Sequence, residues 1–127
     1  MDNLPDILSY GDIEFLVRTF YAKVKNDKVL GSTFEKIIGR NWEGHVARMS
    51  IYWNALILEK KHDYEKQFQQ YAKLPIGKKY FERWTFLFFQ TVNEHFAGSN
   101  ADEAKLTAIK IALHFEPLYR HDIDLIT

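Results

Sequence analysis

Apolar side chains recur along this chain at helical steps of three and four, and no stretch alternates with the period of a strand. The first stripe is Ile13, Leu16, Val17, Phe20, Tyr21 and Val24. It follows Ser9-Tyr10-Gly11-Asp12, whose serine and aspartate can close a capping box, so a helix is expected to end near Asn26 and Asp27. Residues 29–34 read as a short turn and Gly39 as a break. Asn41 can cap a second long helix, with Trp42, Met49, Trp53 and Leu56 in rows as far as about Glu59. Asp63 is the next cap, and Tyr64, Phe68 and Tyr71 follow until Leu74-Pro75 stops the helix. Beyond Gly77 comes an aromatic stripe of Tyr80, Phe81, Trp84, Leu87, Phe88, Val92 and Phe96, closed by Ala97-Gly98-Ser99 and expected to be the most buried element. Asn100-Ala101-Asp102-Glu103 has the spacing of another capping box. The stripe after it is Ala104, Ala108, Ile111, Phe115 and Leu118, with Pro117 as a place to bend. The expected class is all-α, a single domain over 1–127 with too many changes of direction for a simple four-helix bundle.

Composition narrows what such a domain does. Lys plus Arg is 17 and Asp plus Glu is 17, so no large basic field exists to hold nucleic acid. There are no cysteines, which removes disulfides, thiolate nucleophiles, iron-sulfur clusters and cysteine zinc sites. Ten Phe, seven Tyr and three Trp are heavy for a small core and point to an aromatic-lined pocket or interface. The charge-free runs 49–58 and 84–93 fall well short of the roughly 20 apolar residues of a membrane span. The opening Met1-Asp2-Asn3-Leu4-Pro5 lacks the basic region and apolar core of a signal peptide, so a soluble, cytoplasmic protein is expected.

Hydrolytic and nucleotide chemistry find no anchor. The five histidines, His45, His62, His95, His114 and His121, show no HExxH spacing, and no GxSxG elbow, Walker loop or GxGxxG turn is present. His121-Asp122-Ile123-Asp124 reads as a solvated tail. The polar groups on apolar stripes carry more information. His45 shares a helix face with Met49, Tyr52 and Leu56, which turns its imidazole inward either as a satisfied core histidine or as a ligand or donor in a pocket. Tyr21 and Trp84 likewise place a hydroxyl and an indole N–H among apolar neighbours. Core packing is the plainer account of each taken alone.

Several segments in order resemble the truncated haemoglobins of the third group. They are Phe20-Tyr21-Ala22-Lys23-Val24, Leu30-Gly31-Ser32-Thr33-Phe34, Trp42-Glu43-Gly44-His45 with Met49 and Tyr52-Trp53, then Leu74-Pro75-Ile76, Tyr80-Phe81-Glu82-Arg83-Trp84, Leu87-Phe88 and Thr91-Val92-Asn93-Glu94. The resemblance spans about residues 12–115 and is specific as a whole, although each piece is loose. It implies a shortened globin fold, two helices crossed over two, with haem between the second long helix and the aromatic one. It also implies that Tyr21, His45 and Trp84 hydrogen-bond a small ligand such as oxygen, nitric oxide or peroxide, that Phe34 packs on the haem plane, and that Met49, Trp53, Phe68 and Phe88 are wall residues. A redox partner would accompany such chemistry.

The chain departs from that family at the iron. The family's proximal histidine lies three residues before the Leu-Pro step, and that position here is Tyr71; the segment 64–70 is also shortened and lacks the family's usual Gly and Pro. Three outcomes follow. Tyr71 as a phenolate ligand is a hard anion that favours ferric iron and disfavours reversible oxygen carriage. His45 as the ligand inverts the pocket and leaves Tyr71 as the polar group on its other side. If neither binds, the chain is a haem-free globin module for protein or apolar-ligand binding. Its pocket must then fill, because a void of that size costs several kcal/mol at roughly 20 cal/mol per Å² of cavity surface.

Overall fold

A computed structural model of the chain describes residues 3–61 and 78–126, with the side chains of 37, 78 and 114–126 left out of the description. Five helices stand among the described residues: α1 (Tyr10–Asn26), α2 (Gly31–Ile38), α3 (Trp42–Ile57), α4 (Lys78–His95) and α5 (Ser99–Ile126). The helix expected between Asp63 and Leu74, with Tyr64, Phe68 and Tyr71, lies outside the described residues, as does His62. None of the described helices is long and apolar enough to cross a membrane.

Local chemistry starts α1 and α3 where the sequence predicts. The Ser9 hydroxyl accepts the Asp12 N–H at 3.2 Å, and the Asp12 carboxylate accepts the N–H groups of Ser9 and Leu8 at 3.2 and 2.9 Å. Asn41 caps α3 by accepting the Gly44 N–H at 3.1 Å. That cap explains the glycine, since a Cβ at position 44 would stand within 2.8 Å of three atoms of the Asn41 side chain.

Two expectations are corrected. The segment read as a turn over 29–34 leads into helix α2, which no side chain at its own N-cap, Leu30, announces. The turn that leads into it is held instead by Asp27 at the end of α1, whose carboxylate accepts the N–H groups of Val29 and Leu30 and whose carbonyl accepts that of Gly31. Gly31 lets the two helices meet there, because a Cβ would lie 2.8 Å from the Lys25 carbonyl oxygen. At the start of α5 the expected local capping box gives way to a remote one. Asp6 accepts the N–H groups of Asn100 and Ala101 at 3.0 and 2.9 Å, and the Asn100 amide donates to the Ile7 carbonyl at 2.7 Å. α5 then continues past Pro117 to Ile126.

Among the described helices α1 is the central one. α1 packs on α2, α3 and α4, α4 packs on α5, and α3 also touches α5. The stripe Ile13, Leu16, Val17, Phe20, Tyr21 and Val24 of α1 is buried. Opposite the aromatic face of α4, the buried residues of α5 are mostly small: Ala101, Ala104, Ala108 and Ala112. Small side chains on one helix let its backbone approach the large rings of the other.

The Asp6 contact predicts a measurable stability. Burial alone would raise its carboxyl, but the N–H groups of Asn100, Ala101 and Ile7, helped by Lys60, hold it below the ordinary aspartate range. Replacing Asp6 with Ala should cost about 1–2 kcal/mol, the usual range for a lost helix cap, read as a fall in Tm. Because the folded carboxyl is the stronger acid, this stabilisation is complete above the ordinary aspartate range and disappears as pH falls through the folded value. The gap between parent and Asp6→Ala should therefore close in acid.

Candidate functional site

The inward face of α1 meets the inward face of α3 at Tyr21 and His45. Both are 1% exposed, and their rings pack edge to face with centroids 4.6 Å apart. Phe34 of α2 lies 6.5 Å from the Tyr21 ring in a tilted arrangement. Met49 and Trp53, one and two turns beyond His45 on α3, are buried with it. Trp53 stacks on Phe88 of α4 at 4.7 Å, and Phe88 in turn stacks on Trp84 at 5.8 Å. Offset and edge-to-face geometries of this kind are the favourable ones for aromatic rings.

The structure thus brings together Tyr21, His45 and Phe34 directly, and Met49, Trp53, Phe88 and Trp84 as a continuous apolar wall. Trp84 stands one ring removed from Tyr21, and the bridge is Phe20, whose centroid is 4.9 Å from Tyr21, 5.7 Å from Trp84 and 5.2 Å from Phe88. Sequence reading placed Phe20 in the core stripe and missed this bridging role. Its position immediately before Tyr21 was the available signal, since neighbours in a helix present their side chains about 100° apart and so face adjacent partners. Phe68 and Tyr71 lie outside the described residues. His95 sits elsewhere, half-buried against Phe15 at 4.9 Å. Lys60 donates to Asn100 at 3.3 Å.

Electrostatics sets the state of the histidine. Removal from water, assisted by the nearby Arg48 cation, lowers the His45 pKa from about 6.5 to about 4. Its imidazole is neutral at physiological pH, with one ring nitrogen carrying a proton and the other a lone pair. A neutral imidazole beside a phenol, in an apolar enclosure, can donate a hydrogen bond to a small polar ligand or ligate a metal. No group of three or more His, Cys, Asp or Glu suited to a bare metal ion occurs among the described residues. A shallow, open groove of about 400 Å³ runs over the outer side of α4 and α5, lined by Phe81, Phe86, Phe89, Ile109 and Leu113 among others, and shares no residue with the Tyr21 group.

Comparison with known proteins points the same way as the ring geometry. The chain is 30% identical over 122 residues to the protein described as group 3 truncated hemoglobin ctb of Campylobacter jejuni, covering 91% of this chain and 95% of that protein. The crystal structure of group III truncated hemoglobin from Campylobacter jejuni superposes with a TM-score of 0.78 at 28% identity, over 88% of this chain and 91% of that one. No protein-family model matches.

Burial of neutral His45 predicts a pH-dependent stability. The unfolded histidine takes up its proton near 6.5 and the folded one only near 4, so the unfolded state binds more protons between those values. Stability is complete above about 6.5 and falls as pH drops towards 4, by on the order of 3 kcal/mol. Denaturant unfolding of the protein without added ligands, from pH 7 to pH 4, should show this loss, and His45→Gln should remove it.

Proposed function

The chain belongs to the group 3 truncated haemoglobins, and from that premise we propose that it is a haem protein with atypical axial ligation, handling oxygen, nitric oxide or peroxide on the face formed by Tyr21 and His45. The observation that carries the reading is the buried phenol packed on a buried neutral imidazole. Haem asks a protein for an axial donor, apolar faces and a few placed polar groups. The residues present fit that demand: Phe34, Met49, Trp53 and Phe88 supply apolar surface, and Tyr21 and His45 supply the polar groups.

When bound, the iron supplies the ligand-binding and redox chemistry. The chain's own residues decide what reaches it. Tyr21 holds a hydroxyl proton and His45 a ring N–H, both able to donate to a polar or partly charged ligand atom. In an enclosure that excludes water such bonds are stronger than in solution. Protonated His45 would lose the lone pair that makes it a candidate iron ligand, and its pKa near 4 keeps it neutral. We assign the iron bond to Tyr71, with His45 left to the ligand face. A phenolate there would favour ferric iron and disfavour reversible oxygen carriage. Trp84 adds an indole N–H from α4.

Titration with ferric haem tests this. A Soret band saturating at one haem per chain is expected, with a phenolate charge-transfer band that Tyr71→Phe removes and His45→Ala retains. A Soret band without the phenolate feature, kept in Tyr71→Phe and lost in His45→Ala, would move the iron bond to His45. Full haem affinity in a Tyr71→Ala, His45→Ala double variant would overturn both assignments. Absence of a specific band in the parent would leave a haem-free globin module for protein or apolar-ligand binding.

A further inference from the structure

Asp27, the residue that closes α1, reaches three elements at once. Its Oδ2 accepts the N–H groups of Val29 and Leu30, each at 3.0 Å, and so holds the turn into α2. Its backbone carbonyl accepts the Gly31 N–H at 2.9 Å. Its Oδ1 accepts two donors of Arg83 on α4, Nε at 2.8 Å and Nη2 at 2.7 Å. The Asp27 side chain is 4% exposed, whereas that of Arg83 is 40% exposed and lies over the Phe86 ring at 5.1 Å. Those three elements carry Tyr21, Phe34 and Trp84, and Arg83 is the residue immediately before Trp84.

α1 and α4 also share the partly exposed Lys23–Glu94 ion pair, 2.9 Å long and near the other end of α4, together with a set of ring contacts. Phe20 meets Trp84 and Phe88 edge to face, a preference of about 0.5–1.5 kcal/mol per pair that a small slide of one helix along the other weakens without abolishing the apolar burial. A charge-assisted pair with two converging donors does not tolerate it, because a shift lengthens both bonds and leaves a desolvated carboxylate poorly compensated. We infer that the Asp27–Arg83 pair is a positioning element that fixes Trp84 of α4 against Phe20 and Tyr21 of α1, and thereby sets what α4 contributes to the ligand face. The role towards a bound ligand rests on the haem reading above; the role in fixing Trp84 does not. Burial alone would raise the Asp27 carboxyl, but Arg83 and the amides of Leu30 and Val29 outweigh it, so the carboxylate is ionised at neutral pH.

The test uses Arg83→Met, which keeps the aliphatic stem over Phe86 and removes both donors. In the protein without haem, nuclear Overhauser contacts between the Phe20 and Trp84 rings should be lost while those between Tyr21 and His45 persist. In the haem-loaded protein reduced with dithionite to the ferrous state, the stretching frequency of bound carbon monoxide should shift in the same sense as in Trp84→Phe, and the Arg83→Met, Trp84→Phe double variant should show no further shift. Arg83→Lys, which restores a charge and one donor, should return part of both signals. Unchanged ring contacts and frequency in Arg83→Met, or additive shifts in the double variant, would overturn the inference and leave the pair a structural tie. Asp27→Asn keeps an acceptor for the turn and removes the charge, so it decides the same question if Arg83→Met does not fold. If the parent forms no haem complex, the ring contacts alone decide it.

Discussion

The buried stripe of α1 is the constraint around which the other helices are arranged. One row of side chains has to satisfy α2, α3 and α4 together, which is why its residues are almost all large and fully enclosed. Each such side chain contributes on the order of 1.5–3 kcal/mol by leaving water. Tyr21 sits within that row, so its phenol is carried into the interior by the burial of its neighbours. The same packing removes His45 from water on the α3 side.

Function grows from the polar groups that this burial traps. A histidine in solution is half protonated near neutrality, and one enclosed by α1 and α3 is a neutral base with a donor and an acceptor held in a dry site. Its partner is a phenol at ring-contact distance. Phe20 and Phe34 border the phenol, and the stack of Trp53, Phe88 and Trp84 beyond Phe20 forms an aromatic wall.

The two ends of the fold are fastened by carboxylates that act at a distance along the chain. Asp6 caps α5 from the N-terminal segment, and Gly98 accommodates it: a Cβ there would stand 2.6 Å from the Asp6 Cγ, and its φ of +134° suits glycine alone. Asp27 ties the α1 to α2 corner to α4. Both satisfy backbone amides that their own helices' sequences leave without a capping side chain, and both link elements that apolar contact alone would leave free to slide.

The sequence by itself determined the helices, the inward faces and the candidate chemistry. The Ser9 and Asn41 caps, the α1 stripe and the aromatic run of α4 are written in local spacing, because a period of 3.6 residues and a capping side chain act within one or two turns. The run of segments from Phe20-Tyr21 to Thr91-Val92 likewise made the family legible and picked out Tyr21, His45 and Trp84. Only the tertiary structure decided what joins across the chain. The start of α2 was hidden because the turn before it is held by Asp27 rather than by a capping side chain at Leu30, and the start of α5 because its cap comes from Asp6. That Phe20 bridges Tyr21 to Trp84, and that Arg83 meets Asp27, depends on where separate helices cross. The depressed pKa of His45 depends on how completely those crossings exclude water, a property of the packed assembly that no local stretch of residues encodes.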